Sequence, residues 1–303
     1  MAIPPLRLHV LSDLHIEHGG YVAPKVACDV VVVAGDLANG RRMTKALMDL
    51  CKQVRKPVVY VPGNHDWYQI DIASEQASLV QAWRVGAFNL KVLDDGIWRH
   101  EHHGTTYRFI GSTWWSAMDW TEDGATGEAA FARVRAAALG CVNDYGLIIK
   151  DDRPLTPDDS RAMHAVSTGF LQRQIAEAQA SGEVPIVVTH FLPSRSSCHE
   201  QYRGSLVNAY FANDRDDLTA GVPLWIRTVR STTCFPLVVG WCAIRVATAP
   251  RTAISNQERS SPSPHHRLYG AAETAHAPPI SNSGMMQAHT IEPEQDACPV
   301  DAA

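Results

Sequence analysis

The sequence lacks the cysteine pattern of a structural zinc site or a redox pair. Its 303 residues include seven cysteines, an odd number, and no two of them form a Cys-x-x-Cys motif. It also lacks an excess of positive charge, since 27 basic side chains stand against 32 acidic ones and the net charge is -5. Without a basic field, stable nucleic-acid binding is not expected. The unpaired cysteines fit a reducing compartment, so we expect a cytoplasmic protein.

Long apolar runs are missing as well. No stretch reaches the roughly 20 apolar residues that a membrane-spanning helix needs. Met1 leads directly into a strand-like segment, without the charged and apolar regions of a signal peptide. We therefore expect neither export nor membrane binding. The chain is nevertheless 45% hydrophobic, which is enough for one large domain or two modest ones with a buried core.

Lysine is absent from residues 227–303, and this segment holds eight of the 18 prolines in the chain. Its Ser-, Pro-, His- and Ala-rich composition shows no sustained period, and such a composition cannot assemble a normal core. The sequence therefore predicts one folded domain over residues 1–226. We expect residues 227–303 to form a low-complexity, poorly ordered tail.

The folded part begins with a predicted β-α-β unit. Residues 6–11 and 29–34 are short runs rich in β-branched residues, which is typical of buried parallel strands. Apolar residues recur at helical spacing between 43 and 54, and a third strand is predicted over 57–61.

The rest of the domain shows both the helical and the strand periodicity of apolar residues. In chain order, the pattern predicts a helix over 74–84, a hairpin of 97–101 with 105–113, a helix from about 157 to 180 and a strand over 184–189. Thr156 is the expected N-cap of the long helix, followed by a proline and early negative charge. The predicted class is therefore α/β, with a mixed, α+β-like sheet system.

Metal-ligating residue types follow the predicted strands. The positions are Asp13, His15, Asp36, Asn64, His65, Asp66 and His190. Because loops beyond the carboxyl ends of parallel strands converge on one crevice, we expect a single site. Carboxylate, imidazole and amide oxygen suit Mn, Fe or Zn. Two such ions bridged by one carboxylate, with Asp36 the natural bridge, would support displacement at phosphorus.

The ordered series Asp-x-His, Gly-Asp, Gly-Asn-His-Asp and a strand-terminal histidine resembles the calcineurin-like metallophosphoesterase superfamily, over roughly residues 6–226. This resemblance implies a β-sandwich of two sheets face to face, flanked by helices. It implies hydrolysis of phosphomonoesters or phosphodiesters by a dinuclear centre with metal-bound hydroxide as the nucleophile. The expected substrate is a small phosphate ester or a phosphoprotein.

The resemblance also assigns roles to residues. One divalent ion would be bound by Asp13, His15 and Asp36, and the other by Asp36, Asn64 and His190. His65 would stabilise the phosphoryl group or protonate the leaving oxygen. Asp66 would support it by orienting the His65 ring.

One element of the family pattern is missing. Members normally complete both metal shells with a Gly-His-x-His motif, expected here at about 227–231, where the chain reads Arg-Thr-Val-Arg-Ser. Two explanations stay open: a change of reading frame near Arg227, or a divergent paralogue with a genuine extension. Resequencing the gene across codon 227 and comparing homologous genes distinguishes them.

The loss of two imidazole ligands should weaken both metals. A rival hypothesis is therefore a catalytically impaired protein that keeps the fold and acts as a binding scaffold. A metal-dependent nuclease of the same superfamily is a weaker alternative, because the chain is acidic and has no basic patch.

Overall fold

Two β-sheets and the helices around them form the core of the protein. The structure is a computed structural model that describes residues 4–76, 79, 89–228 and the backbone of 240–244. These residues belong to one compact unit that ends at Val246. Most of the predicted tail lies outside the described residues. Most of the predicted helix 74–84 lies outside them as well; its residues 74–76 and 79 are described and are helical.

The first sheet has five strands. In chain order they are β1 (Leu6–Leu11), β2 (Val30–Ala34), β3 (Val58–Val61), β4 (Leu90–Val92) and β11 (Gly240–Ile244). The order across the sheet is β11-β1-β2-β3-β4, with β11 antiparallel to β1 and the other neighbours parallel. All residues of β2 and β3 are buried, as expected for strands covered on both faces. Helix α1 (Met43–Val54) connects these two strands, which confirms the predicted β-α-β unit.

The second sheet has four strands. They are β5 (Gly96–His102), β6 (Thr105–Ser112), β9 (Val184–Thr189) and β10 (Leu224–Ile226), in the order β10-β9-β6-β5. The antiparallel pair of β5 and β6 confirms the predicted hairpin, while β9 runs parallel to both of its neighbours.

The two sheets lie face to face. One hydrophobic cluster contains Val32 and Val59 of the first sheet together with Phe109, Ile186 and Val188 of the second. This shared core confirms the predicted sandwich, and helices cover the outer faces. α1 packs against the outside of the first sheet, and the long helix α4 (Pro157–Ala180) contributes to a cluster on the outside of the second.

Several short elements complete the described fold. They are α2 (Gly127–Cys141), α3 (Asp144–Leu147), the ribbon of β7 (Ile149–Lys150) with β8 (Arg153–Pro154), α5 (Asn208–Phe211) and α6 (Asp216–Thr219). α4 begins as predicted, because Thr156 and Asp159 form a reciprocal capping box before the first turn. None of the helices in the described part of the chain has the length and apolar character needed to cross a bilayer.

Candidate metal centre

The loops that follow the parallel strands meet at one edge of the sandwich. Asp13 follows β1, and Asp36 follows β2. Backbone hydrogen bonds join the two loops, from the amide of Asp13 to the carbonyl of Gly35 (3.1 Å) and from the amide of His15 to the carbonyl of Asp36 (3.1 Å). Ligand atoms of Asp13, His15 and Asp36 all lie within 4.8 Å of one another. The first predicted ligand set is therefore brought together.

The second predicted set forms around the same carboxylate. His190 follows β9 directly, and its Nε2 lies 3.5 Å from Oδ2 of Asp36 and 2.9 Å from Oδ1 of Asn64. Its Nδ1 donates to the carbonyl of Ala34 (2.9 Å), which fixes the ring with Nε2 toward the site. Asp36 is thus the residue that both sets share.

Three of these residues have an unusual backbone conformation. Asp13, His15 and Asp36 have φ angles of 54°, 42° and 53°, in the left-handed region that L-residues rarely occupy. Each such residue costs on the order of 1–3 kcal/mol and persists where surrounding contacts hold it, most often at functional sites. The sharp turns aim the side chains of two loops into one cleft.

Glu17 is a member of the site that sequence reasoning missed. Its buried carboxylate lies 3.3 Å from Nδ1 of His15 and accepts a hydrogen bond from the amide of Asn39 (3.2 Å). Nε2 of His15 is thereby left facing Asp36 at 3.9 Å. Burial disfavours a charge on this imidazole, but Glu17 and Asp36 together raise the pKa of His15 to about 9. The alternating Asp-x-His-x-Glu spacing was the available signal.

Asp66 does not take the role that the resemblance implies. Its Oδ2 accepts from the amides of Asp36 and Gly63 (both 2.8 Å), and its Oδ1 accepts from Leu37 (3.0 Å) and Ala38 (3.1 Å). The prediction that Asp66 orients the His65 ring is therefore wrong. His65 and Asp66 are consecutive residues of a 3-10 turn, in which successive side chains point about 120° apart.

The environment of Asp66 keeps it a fixed acceptor near neutral pH. Burial and the charge of Asp36 raise the pKa of Asp66 to about 6, against the lowering effect of the amides it binds. Above that pH the carboxylate is ionised and accepts four backbone hydrogen bonds. Asp66 therefore holds the loop after β2 against the loop after β3.

His65 borders the cleft beside the side chains predicted to bind metal. Its amide donates to Oδ1 of Asp36 (2.9 Å), and its ring lies 4.8 Å from the ring of His15. The ring of Tyr68 stacks on it at 4.3 Å, and the Tyr68 hydroxyl lies 3.4 Å from Nε2 of His65. Tyr68 thus supports the ring that the resemblance places over the substrate.

The sequence profile of the calcineurin-like phosphoesterase family matches residues 6–218. The chain belongs to this family. Its members are metal-dependent hydrolases of phosphate esters, so the chain is a phosphoesterase by descent. No curated protein sequence matches it.

Two solved structures are similar to this chain to different degrees. The chain resembles phosphopantetheinyl hydrolase from Mycobacterium tuberculosis with a TM-score of 0.57 and 17% identity, over 75% of this chain and 82% of that one. A dimetal phosphatase from Danio rerio matches with a TM-score of 0.32 and 12% identity, over 69% of this chain and 74% of that one. The first of these likenesses supports a shared architecture.

The residues of this phosphoesterase fit divalent cations. Burial and the charge of Asp36 raise the pKa of Asp13, and burial of His190 is outweighed by Asp36 and Asp13, which raise the pKa of that imidazole. In both cases the neighbouring carboxylates favour added positive charge in the cleft. Carboxylate oxygens, an amide oxygen and imidazole nitrogens form the donor set that Mn, Fe and Zn accept.

Thr228 lies within residues 227–231, where the resemblance to the family implies the last two histidines. β10 delivers it to the site, and its amide donates to the carbonyl of His190 (3.4 Å). Its hydroxyl donates to Oδ2 of Asp13 and accepts from Ser12 (3.1 Å). The chain therefore reaches the candidate metal centre after β10 and presents a hydroxyl there. Of the expected motif positions 227–231, only the first two are described.

The glycines of the family motifs allow the loops to approach closely. A methyl group on Gly35, which has a φ of 88°, would overlap Nδ1 of His190. A methyl group on Gly63 would lie 2.6 Å from the amide nitrogen of Asp36 and 2.7 Å from Cε1 of His190. Both glycines therefore allow the predicted ligands Asp36 and His190 to approach closely.

Gly63→Ala is expected to lower the free energy of unfolding by about 1–3 kcal/mol, because overpacked sites cost that much. It should also weaken Mn²⁺ binding, since Asp36 and His190 must move apart. Gly169→Ala is the matched control, because a methyl group there meets no atom within 4 Å on the exposed side of α4. It should stabilise the protein by about 0.5–1 kcal/mol. Urea denaturation and Mn²⁺ titration of both variants check this, and equal effects would contradict it.

Proposed function

We propose that this phosphoesterase hydrolyses phosphomonoesters or phosphodiesters with two divalent cations. Asp13, His15 and Asp36 would hold one ion, and Asp36, Asn64 and His190 the other. The observation that carries the proposal is the convergence of both sets on Asp36. A shared carboxylate can hold two ions about 3.5–4 Å apart, which is the spacing of two-metal sites.

Bound cations would polarise the phosphoryl oxygens and lower the pKa of a shared water. The chain's own residues supply the remaining functions. His65 lies at the rim of the cleft, where its ring can stabilise the phosphoryl group or give a proton to the leaving oxygen. Tyr68 limits the movement of this ring by stacking on it. Glu17 and the Ala34 carbonyl fix the orientation of His15 and His190.

The test is hydrolysis of p-nitrophenyl phosphate and of bis(p-nitrophenyl) phosphate by the purified protein with added Mn²⁺. Asp36→Asn is the control, because the amide keeps the shape of the side chain and removes the charge that both ligand sets share. Several kcal/mol of transition-state stabilisation come from the metals, so the control should lose at least about 10³-fold in turnover. Turnover that survives in the control would mean that another centre, or a contaminant, does the chemistry. The ratio of the two rates distinguishes monoesterase from diesterase action.

Thr228 is the observation that favours the second candidate, a catalytically impaired phosphoesterase that acts as a binding scaffold. Within residues 227–231, where the resemblance implies two histidine ligands, residue 228 presents a hydroxyl that is bonded to Asp13. This hypothesis expects a folded protein that turns over neither ester with Mn²⁺. Turnover that depends on Asp36 excludes it.

A further inference from the structure

We propose that Asp144 is a positioning residue that selects which end of the Asn64 amide faces the metal centre. This inference rests on the proposed dinuclear site. Asp144 is the first residue of α3, outside both sheets and far from Asn64 in sequence. It is 1% exposed. It is not one of the site residues predicted from the sequence.

Asp144 accepts hydrogen bonds on both carboxylate oxygens. Oδ1 accepts from Nδ2 of Asn64 (3.0 Å) and from the hydroxyl of Tyr68 (2.8 Å). Oδ2 accepts from the hydroxyl of Tyr210. We call these four side chains the Asp144 cluster. All three donors are neutral, so the carboxylate has no direct cation partner within the cluster.

The chemistry of the amide explains the selection. Asn64 carries an acceptor at one end and a donor at the other, and only the oxygen can bind a metal. Because both carboxylate oxygens of Asp144 act as acceptors, Asp144 requires the NH₂ end. Oδ1 of Asn64 is thereby directed to the cleft, 2.9 Å from Nε2 of His190. A flipped amide would place its oxygen against the Asp144 carboxylate in a buried site, which is strongly unfavourable.

The two tyrosines hold Asp144 itself in place. The hydroxyl of Tyr68 donates to Oδ1 of Asp144 (2.8 Å), and the hydroxyl of Tyr210 donates to Oδ2. Tyr68 also stacks on His65. The Asp144 carboxylate therefore contacts both Asn64, a proposed metal ligand, and Tyr68, which stacks on the His65 ring.

The first variant is Asp144→Ala in the full-length chain, with Mn²⁺ binding measured by calorimetry. Loss of a residue that orients a ligand typically costs 10–100-fold in metal affinity. We expect affinity about tenfold lower at one site and unchanged affinity at the site of Asp13 and His15. Tyr145→Phe is the matched control, because it removes a buried hydroxyl from the next residue of α3 and leaves the Asp144 cluster intact. It should bind Mn²⁺ like the wild type.

The second variant exchanges donor and acceptor. In Asn64→Asp combined with Asp144→Asn, the new amide at 144 donates to one oxygen of the new carboxylate at 64, whose other oxygen faces the cleft. We expect this double variant to bind Mn²⁺ at least as tightly as the wild type. A purely structural role of Asp144 does not predict such a rescue, because the pair would only need to fill the same volume.

The outcomes separate the two proposals. A wild type that binds no Mn²⁺ overturns the dinuclear site and this inference together. A wild type that binds two ions, with a folded Asp144→Ala variant that binds them equally well, overturns only the inference. If Asp144→Ala does not fold, the double variant Asn64→Asp with Asp144→Asn tests the inference. Binding restored to wild-type affinity supports the positioning role, and a folded pair that loses the second ion contradicts it.

Discussion

Asp66→Ala is expected to lower the free energy of unfolding by at least about 4 kcal/mol. The carboxylate accepts four buried backbone amides, and each buried donor left without an acceptor costs about 1–3 kcal/mol. The sum is comparable with the entire stability of a typical domain, about 5–15 kcal/mol. The loops after β2 and β3 should separate, and Asp36 and Asn64 with them. Urea denaturation followed by circular dichroism measures the loss.

Two further variants give this prediction its control. Asp158→Ala removes an exposed carboxylate from the first turn of α4 and should change stability by no more than about 0.5 kcal/mol. His65→Ala should leave stability nearly unchanged and lower turnover by about 10²–10⁴-fold, as loss of an acid–base group does. If Asp66→Ala instead matched His65→Ala in both stability and turnover, Asp66 would act through the His65 ring after all.

The error over Asp66 shows where sequence reasoning fails. Adjacency in Gly-Asn-His-Asp suggests that the Asp66 carboxylate supports the neighbouring ring. In the 3-10 turn, however, the side chain points to the loops behind it, where backbone amides from Asp36 to Ala38 need an acceptor. Motif spacing specifies residue types, but it does not specify which way consecutive side chains face.

Most of the fold was predictable because its signals are local. The β-branched runs predicted the strands of the β-α-β unit to within one residue. Where the predicted and observed bounds differ, they differ at the first residue of the strand. Residue 57, for example, is a proline without an N–H to donate, and β3 begins at Val58. The capping box at Thr156 likewise lies within four residues of chain. The sandwich itself came from the family resemblance.

The candidate site was predictable where it follows strand ends and unpredictable where its partners are remote. Asp13, Asp36 and His190 stand directly after apolar runs, so topology brings them together. Asp144 meets Asn64 from an element outside both sheets, and no period or motif marks it. Tyr210 reaches the same carboxylate from yet another short helix. Such contacts depend on how connecting segments pack, which residue spacing alone does not encode.

The site could be weakened because residue 228 is not a histidine, or because the backbone after β10 no longer reaches the site. β10 remains in register with β9, pairing Ile226 with Val188, and the next residues reach the cleft. The Thr228 hydroxyl bonds directly to Asp13. The backbone after β10 therefore reaches the candidate metal centre, where the side chain of residue 228 contacts Asp13.

Thr228→His is accordingly expected to tighten metal binding. Four-ligand zinc sites bind with about 10–16 kcal/mol, or roughly 3 kcal/mol per ligand, and this corresponds to about 100-fold in affinity. We expect a gain of that order for Zn²⁺ at the site of Asp13 and His15. The gain for Mn²⁺ should be smaller, since Mn²⁺ stands lowest in the affinity order for such donors. Competition with a chromophoric chelator measures both constants.

The control for this gain is Thr228→Ser, which keeps the hydroxyl and its hydrogen bond to Asp13 and should leave metal affinity unchanged. A Thr228→His variant that folds but binds Zn²⁺ no more tightly would show that residue 228 does not reach the coordination position. If affinity and ester turnover rise together, the missing imidazole was the limiting defect. If affinity rises while turnover stays at background, the remaining defect lies in the second ligand set, where Asn64 and His190 would still lack an imidazole from beyond residue 228.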